Sequence, residues 1–323
     1  MLAQHSFITQ PETQKLATCP IYGNFVLMTS HKHIVPSVAK SQRLSDYGPG
    51  IFPNLPTKSA FKKAIKKQEI YVNGQPETTG HLVKPGEEIA WHEPDKNPGK
   101  VFHIELDVVY EDEHLAVVNK PSGVVVSGNQ FRTLENALPE HLQISSLADA
   151  LSFPKPIHRL DAPTSGLIII AKTSSARVYL SRQMEKKKIQ KSYHAVVMGE
   201  TPDNWESDLA LEGKPAKTLF SKRYSVPSLR SQALTLTKAI PVTGRTHQIR
   251  KHLAADGFPI LGDKIYGNEG HILMGKGLFL CATEVKFLHP ETHQIMHLNI
   301  DTPPKFQKFM IGEEKRFQKY TDR

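Results

Sequence analysis

Three side chains that could do acid–base chemistry crowd into one short loop of this sequence. His158, Arg159 and Asp161 lie in the segment 157–166, which a proline and a glycine keep from forming a regular helix or strand. A carboxylate held in such a loop is a candidate nucleophile or general base, provided that it is ionised, and a guanidinium partner favours the ionised form. The bare pattern Arg-x-Asp is also typical of a turn with a solvated charge, so the surrounding elements must decide.

Those elements are a buried strand directly after the loop and two further segments. Residues 167–171 form an unbroken apolar run rich in β-branched side chains, which predicts a strand buried on both faces. Such a strand can hold the preceding loop still. A second strand is predicted at 191–199, and a helix is predicted to end near Ala255, with Thr246 placed to cap its start.

Composition narrows the classes of protein to which the chain can belong. Its 323 residues suit two domains plus tails, and the formal net charge of +9 favours a polyanionic partner such as nucleic acid. Cys19 and Cys281 are far apart, which disfavours a zinc site or a disulfide-rich secreted protein. Neither a signal peptide nor a membrane span is visible in the sequence, so we expect a cytoplasmic protein.

The loop resembles the catalytic motif of the RluA-type pseudouridine synthases. It reads HRLD at 158–161 and, after two residues, TSGL at 164–167. Two later stretches are similar to other motifs of the same family, KSYHAVVMG at 191–199 and GRTHQIRKHL at 244–253, which continues as GFPILGDKIYG at 257–267. The string VVNKPSGVVV at 117–126 also resembles a family motif, but we interpret Lys120 and its neighbours as a structural turn.

The resemblance implies a role for each of five residues. Asp161 is the catalytic carboxylate, Arg159 assists the flipping of the target base, and Tyr193 stacks on or abuts that base. An arginine pairs with the aspartate, and we assign this pairing to Arg250 while keeping Arg245 as the alternative.

The segment before the catalytic motifs resembles the S4 RNA-binding domain. Residues 58–68 have helical spacing and a dense basic face, and two short strands with an Asn-Gly turn follow. A solvated helix face would explain the lysines equally well, but the resemblance makes them candidates for RNA binding. The candidate lysines are Lys62, Lys63, Lys66 and Lys67.

The resemblance also implies a fold and a domain order. We expect an α+β protein with the pseudouridine synthase fold, a large mixed but mainly antiparallel sheet flanked by helices, preceded by a small S4-like α/β domain. The expected boundaries are 1–50 for an N-terminal extension of irregular structure, 51–94 for the S4-like domain, 101–306 for the catalytic domain and 307–323 for a charged C-terminal tail, with a linker at 95–100.

The implied reaction is the isomerisation of specific uridines in structured RNA to pseudouridine. It moves the glycosidic bond from N1 to C5 without a redox step or a second reactant, so no cofactor and no metal are expected. His289, His293 and His297 recur every four residues, but Pro290 indicates a hairpin that separates them. The partner is RNA, with ribosomal RNA preferred over transfer RNA, and we expect a monomer that does not bind membranes.

Two other functions fit parts of the sequence. A non-catalytic RNA-binding or assembly factor would explain the basic charge and the S4-like segment. It would not need Asp161, Tyr193 and two arginines together. A hydrolase such as an N-glycosidase could use Asp161 to activate water, and it would release free uracil.

Overall fold

The described part of the chain folds into two compact units. The computed structural model describes residues 29–37, 41–93, 101–267 and 275–321. The first unit consists of the described residues of Met1–Gly99 together with Leu147–Ser152. The second consists of Lys100–Ser146 and the described residues of Phe153–Arg323. The linker expected at 95–100 lies outside the described residues, and the expected domain boundaries stay predictions.

The first unit is a small α/β unit with a four-stranded antiparallel sheet. The strand order is β1-β6-β3-β4, and β2 pairs separately with β5. The Asn-Gly hairpin turn is confirmed, because Asn73 and Gly74 join β3 to β4 with φ of 48° and 79°. Its elements are β1 (Thr29–Ile34), β2 (Gln42–Arg43), α1 (Leu44–Tyr47), α2 (Lys58–Lys66), β3 (Ile70–Val72), β4 (Gln75–Pro76), β5 (Leu82–Val83) and β6 (Glu88–Glu93).

Part of the expected N-terminal extension belongs to this unit. Strand β1 pairs with β6 along its whole length, and Val35 and Leu44 are buried in the same core as Phe61 and Ile70. The expectation of irregular structure up to residue 50 is therefore wrong for these segments, because their apolar side chains complete the core of the unit. Residues 1–28 and 38–40 lie outside the described residues.

The second unit is built on a large mixed sheet. The strand order is β12-β13-β14-β11-β15-β10-β8-β7, with β16 beside β15 and β9 beside β10. Its strands are β7 (Asp107–Glu111), β8 (Leu115–Lys120), β9 (Ala150–Pro156, of which residues 153–156 belong to this unit), β10 (Ser165–Thr173), β11 (Gln190–Met198), β12 (Asn204–Ser207), β13 (Thr218–Ser228), β14 (Gln232–Pro241), β15 (Leu280–Leu288) and β16 (Ile295–Asn299). The helices are α3 (Leu134–His141), α4 (Ser174–Glu185), α5 (Gln248–Ala255) and α6 (Pro304–Thr321).

Strand β15 joins the two halves of this sheet. It pairs antiparallel with β11 on one side. On the other side it pairs parallel with β10 at two positions, Ser165 with Cys281 and Gly166 with Ala282. The other recorded pairings in the sheet are antiparallel. The prediction of a mixed, mainly antiparallel sheet flanked by helices is confirmed.

The strand after the Asp161 loop is buried on both faces, as predicted. Successive residues of β10 and of its neighbour β8 point to opposite sides of the sheet. One side packs in the core that contains α3, α5 and α6 residues, and the other packs with Leu180 of α4. The first set includes Ala116, Val118, Ile168 and Ile170, and the second includes Leu115, Val117, Leu167 and Ile169.

Strand β12 lies at the edge of the sheet, where it pairs with β13. One local prediction is wrong in this unit. The segment expected as a charged tail from residue 307 is instead part of α6, because Phe306 and Met310 are buried in the core and Glu313 is buried beside them. Although α6 has 18 residues, neither it nor another helix in the described ranges is apolar enough over a sufficient length to cross a membrane.

Candidate active site

The loop that carries Asp161 is fixed by the neighbouring loop that follows β8. Directly after the aspartate, the carbonyl of Ala162 accepts hydrogen bonds from the backbone N–H of Gly123 at 2.7 Å and from Nζ of Lys120 at 3.2 Å. Ser122 Oγ donates to the carbonyl of Pro163 at 2.7 Å. The two family-like motifs therefore meet in space, and one holds the backbone of the other.

Lys120 is buried, and its ammonium donates hydrogen bonds to backbone carbonyls of the two loops instead of facing solvent. It is 0% exposed, and its ammonium also donates to the carbonyls of Pro121 at 2.9 Å and Val124 at 2.8 Å. Burial lowers the pKa of Lys120 to about 8. These contacts agree with the interpretation of this motif as a structural turn.

The glycine of the TSGL motif, Gly166, is required for steric reasons. Gly166 has φ of 116°, and a Cβ at this position would lie 2.2 Å from the carbonyl oxygen of Ala282. This is the point at which β10 and β15 pair in parallel. A side chain here would push apart the strands that support the Asp161 loop.

Arg250 links Asp161 to a second, buried carboxylate. Its Nη1 lies 3.6 Å from Oδ2 of Asp161, while its Nε and Nη2 donate to Asp263 at 2.7 and 2.8 Å. Asp263 also accepts from the backbone N–H groups of Ile265 and Tyr266. Burial alone would raise the pKa of Asp263, but these donors hold it below its ordinary value. Helix α5 thus presents a guanidinium whose plane is fixed by Asp263.

His247 is a neighbour of Asp161 that the sequence did not single out. Its Nε2 lies 3.7 Å from Oδ1 of Asp161, and its Nδ1 lies 3.0 Å from the hydroxyl of Tyr266. His247 has φ of 55° and precedes α5. The expected capping by Thr246 is wrong, because the helix begins at Gln248 and His247 occupies the cap position without a side-chain cap bond. The motif contained His247, Asp263 and Tyr266, but spacing alone assigned them no task.

Arg245 is placed differently from Arg250. Its Nε donates to the carbonyl of Pro215 at 3.1 Å and its side chain is exposed. Gln248 fixes its backbone by accepting from Arg245 N–H at 3.0 Å and from the hydroxyl of Thr243 at 2.6 Å. Within the described ranges no ion pair joins Arg245 to Asp161, so of the two predicted arginines only Arg250 is brought to the carboxylate.

One cavity of about 330 Å³ is lined by Asp161, Arg245, His247 and Arg250. Tyr193 lies in its wall on β11 and is buried, which raises the pKa of its hydroxyl, and the charge of Asp161 acts in the same direction. Arg159 also lines the cavity and is exposed. The structure therefore gathers all five predicted site residues of the second unit. The lining includes Ile157, His158, Arg159, Leu160, Asp161, Thr164, Met184, Lys191, Tyr193, Pro241, Arg245, His247, Arg250 and Leu280.

His158 ties the Asp161 loop to strand β10. Its Nε2 accepts a hydrogen bond from the N–H of Ile169 at 3.2 Å. Burial, with a smaller contribution from the charge of Lys191, lowers the pKa of His158 to about 3. The imidazole is therefore neutral at physiological pH and acts as an acceptor for the strand.

The predicted RNA-binding lysines lie in the first unit. Helix α2 buries Phe61, Ala64 and Ile65. The lysines form its exposed face and its C-cap, and Lys67 pairs with Glu69 at 3.6 Å. The set is Lys62, Lys63, Lys66 and Lys67. This basic face remains a candidate surface for phosphates.

The three histidines near the C-terminus are separated by the hairpin of β15 and β16. His289 Nε2 donates to the carboxylate of Asp112 at 2.7 Å, and His297 Nε2 lies 2.6 Å from Glu284. In the parts of the chain that the structure describes, no three His, Cys, Asp or Glu side chains gather as a metal-binding group.

Two family profiles match the chain. The profile for RNA pseudouridylate synthases matches residues 114–255, which include the Asp161 loop, Tyr193 and Arg250. The profile for the S4 domain matches residues 54–89, which include α2 and the short strands after it.

Relatives from several bacteria align with most of the chain. An uncharacterized RNA pseudouridine synthase of Aquifex aeolicus is 34% identical over 298 residues, 83% of this chain and 92% of the relative. The ribosomal large subunit pseudouridine synthase C of Vibrio parahaemolyticus is 30% identical and covers 85% of this chain and 93% of its own length. The dual-specificity RNA pseudouridine synthase RluA of Haemophilus influenzae is 37% identical over 60% of this chain and 92% of the relative.

Solved structures show the same fold at lower identity. Human RNA pseudouridylate synthase domain containing 4 superposes with a TM-score of 0.51 at 20% identity, over 65% of this chain and 93% of that one. Human RNA pseudouridylate synthase domain containing 1 gives 0.50 at 22% identity, over 62% and 84%. Together with the two profiles and the relatives that match most of the chain, this fold places the protein in the RluA-type family of RNA pseudouridine synthases, isomerases that here carry an N-terminal S4 domain.

Proposed function

We propose that this RNA pseudouridine synthase uses Asp161 as its catalytic carboxylate on a uridine held in the cavity of the second unit. The supporting observation is the contact of Arg250 with Asp161 at 3.6 Å, with the guanidinium oriented by the buried Asp263. A guanidinium at this distance favours the ionised carboxylate, the form needed for a nucleophile or a base. His247 adds a second polar neighbour at 3.7 Å.

The reaction requires no external reactant. The bond between N1 of uracil and the sugar breaks, the base turns, and a bond forms between C5 and the sugar. C5 then loses its proton and N1 gains one, so atoms and electrons balance within the nucleotide. Asp161 would hold the intermediate or move a proton during this sequence. Enclosure of the site strengthens its interaction with Arg250, because less water screens the charges.

The uridine must leave its stack to reach Asp161. Flipping costs about a few kcal/mol. We assign two groups to this step. The exposed Arg159, two residues before the aspartate, takes the place of the base in the RNA, and the buried ring of Tyr193 abuts the flipped uracil. A base–aromatic contact contributes about 1–3 kcal/mol, which is comparable with the cost of flipping.

We further propose that the substrate is ribosomal RNA. The relative from Vibrio parahaemolyticus, named for the ribosomal large subunit, aligns with 85% of this chain, and the S4 profile matches the first unit. The exposed lysines of α2 would contact phosphates and position the RNA without reading its sequence. The RluA relative from Haemophilus influenzae is named as dual-specific, which keeps transfer RNA as the other substrate class. Monomeric state and cytoplasmic location stay predictions.

Pseudouridine mapping of total cellular RNA tests these assignments. Three cell lines are compared: cells making the wild type, cells making Asp161→Asn and cells lacking the protein. We expect specific sites to vanish in the deletion and to return only with the wild type, and their positions name the substrate. A variant of the exposed Asp203, Asp203→Asn, serves as a matched control and should restore every site.

Each contrary outcome has a different meaning. If Asp161→Asn restores the sites, the aspartate is not the catalytic group. If abasic sites and free uracil appear in place of pseudouridine, the chain is a hydrolase. If no site depends on the protein, the RNA-binding factor becomes the better description.

A further inference from the structure

Lys191 is a cation in the wall of the cavity. It lies on β11, two residues before Tyr193, and both side chains line the cavity. The residue is half-buried, and burial lowers the pKa of its ammonium. Across the described ranges, no carboxylate lies within ion-pair distance of Lys191, and the charge of Lys191 acts on His158, whose pKa it helps to lower.

Other buried cations of the second unit are compensated. Arg250 has Asp263, Lys172 pairs with Glu111 at 2.7 Å, and Lys120 donates to three carbonyls. An ammonium withdrawn from water without such partners destabilises the free protein. A ligand that carries an anion into the cavity would remove this disadvantage, so Lys191 is a feature that favours binding at the expense of stability.

An RNA substrate brings anions to this place. Each nucleotide that enters the cavity has one phosphodiester on its 5′ side and one on its 3′ side. We propose that Lys191 is a phosphate subsite, which binds one of the two phosphodiesters flanking the target uridine. This inference rests on the proposed function, because it takes the flipped nucleotide as the occupant of the cavity. Lys191 is thereby a substrate-positioning residue that does not act on the bonds being broken.

The first test is the stability of the free protein. Lys191→Met removes the charge and keeps an unbranched side chain, so we expect the thermal midpoint to rise. The matched control is Lys286→Met on the neighbouring strand β15, where the lysine is exposed and pairs in register with Gln190. The control should leave the midpoint unchanged. A lower midpoint for Lys191→Met than for wild type would mean that Lys191 stabilises the fold, and it would overturn the proposal.

The second test asks whether Lys191 and a phosphate act as a pair. The probe is a stem-loop that contains a uridine identified by the mapping experiment, and binding is measured to protein carrying Asp161→Asn so that no turnover occurs. One phosphodiester at a time, 5′ or 3′ of the uridine, is replaced by an uncharged methylphosphonate. Each probe has a control RNA with the same sugar change and an ordinary phosphate.

We expect Lys191→Gln to weaken binding of the all-phosphate RNA about tenfold, the effect of losing a hydrogen bond between charged groups. Its plot of log affinity against log salt concentration should be shallower by about 1. One of the two methylphosphonates should weaken binding to a similar degree, and the same replacement should have no further effect on Lys191→Gln. Lys191→Arg should retain most of the affinity, and Lys286→Met all of it.

The outcomes separate this proposal from the proposed function. In single-turnover assays with intact Asp161, Lys191→Gln should raise the RNA concentration at half-maximal rate by a larger factor than it lowers the maximal rate. The phosphate subsite is wrong if the methylphosphonate weakens binding to Lys191→Gln by the same factor as binding to the protein with Lys191. It is also wrong if Lys191→Gln binds the all-phosphate RNA normally. In both cases the catalytic assignment stands. If mapping finds no site that depends on the protein, both proposals fail together.

Discussion

Both carboxylate oxygens of Asp263 accept hydrogen bonds from Arg250, from Nε at 2.7 Å and from Nη2 at 2.8 Å. The remaining nitrogen of the guanidinium, Nη1, faces Asp161 at 3.6 Å from Oδ2. The acidic partner that orients the guanidinium is therefore not the one proposed to do chemistry. Because Asp263 is almost fully buried, Arg250 is already oriented in the protein without RNA.

Removing Asp263 should damage both the fold and the site. We expect Asp263→Ala to lower the free energy of unfolding by about 3–5 kcal/mol, because it leaves the guanidinium of Arg250 buried without its partner. Urea unfolding of wild type and variant measures this loss. The control is Glu212→Ala, which breaks the exposed pair with Lys251 on the same helix and should leave the midpoint unchanged. Equal midpoints for Asp263→Ala and wild type would contradict the prediction.

Substitutions of the two candidate arginines should change different kinetic parameters. Arg250→Lys keeps a positive charge but cannot contact Asp263 with two nitrogens and Asp161 with a third, so the single-turnover rate should fall about a hundredfold. Arg245→Lys should change the RNA concentration at half-maximal rate and leave the maximal rate close to wild type, because Arg245 contacts a backbone carbonyl and solvent. A large drop in maximal rate for Arg245→Lys alone would reverse the assignment.

Lys120 should be required for both stability and activity, although no chemical step is assigned to it. Lys120→Met leaves the carbonyls of Pro121, Val124 and Ala162 without their donor, at about 1–3 kcal/mol for each one that stays buried and unpaired. We expect a lower unfolding midpoint and also a lower rate, since Ala162 directly follows Asp161. Differential scanning calorimetry and single-turnover assays report the two effects. A variant of normal stability and low activity would instead point to a direct chemical role.

His158 should make stability depend on pH below neutrality. Its pKa in the folded protein is lowered to about 3, whereas an unfolded histidine titrates near its ordinary value of 6.5. The unfolded state therefore binds the proton first, and the contribution of neutral His158 is complete above pH 6.5 and is lost as the pH falls toward 3. The slope approaches about 1.4 kcal/mol per pH unit within that window. In urea titrations between pH 4.5 and 7.5, His158→Gln should show a shallower dependence than wild type, and an identical dependence would contradict the assignment.

The sequence predicts two kinds of element well. These are strands that are apolar on both faces, and tight turns whose backbone conformation favours particular residues such as Asn-Gly. The run at 167–171 lies within β10 as expected, and Asn73 with Gly74 forms the predicted hairpin turn. Segments whose apolar residues are sparse were misjudged. Helix α6 was taken for a tail because Phe306 and Met310 stand among many charged side chains, and only the presence of a core to receive them makes the segment a helix.

The motifs of the candidate site were predictable from the sequence, but the contacts between their residues were not. Asp161 and Arg250 are 89 positions apart along the chain, and nothing in their spacing tells which arginine reaches the carboxylate. His247 was missed because its approach depends on a left-handed backbone conformation before α5, which is rare for a residue other than glycine. Lys191 was missed because a lysine in a strand normally indicates solvent, and its burial follows from the neighbours that surround it.

The position of β15 determines when a newly made chain can become active. Asp161 lies before β10, in one half of the large sheet, while Tyr193 and α5 belong to segments around β11 in the other half, and β15, Leu280–Leu288, lies between them. During synthesis every residue assigned to the uridine is made before the strand that brings the two halves together. A nascent chain therefore carries all of the groups assigned to the uridine before it contains the strand that brings them together, and we expect the cavity to assemble only after β15 has been synthesised.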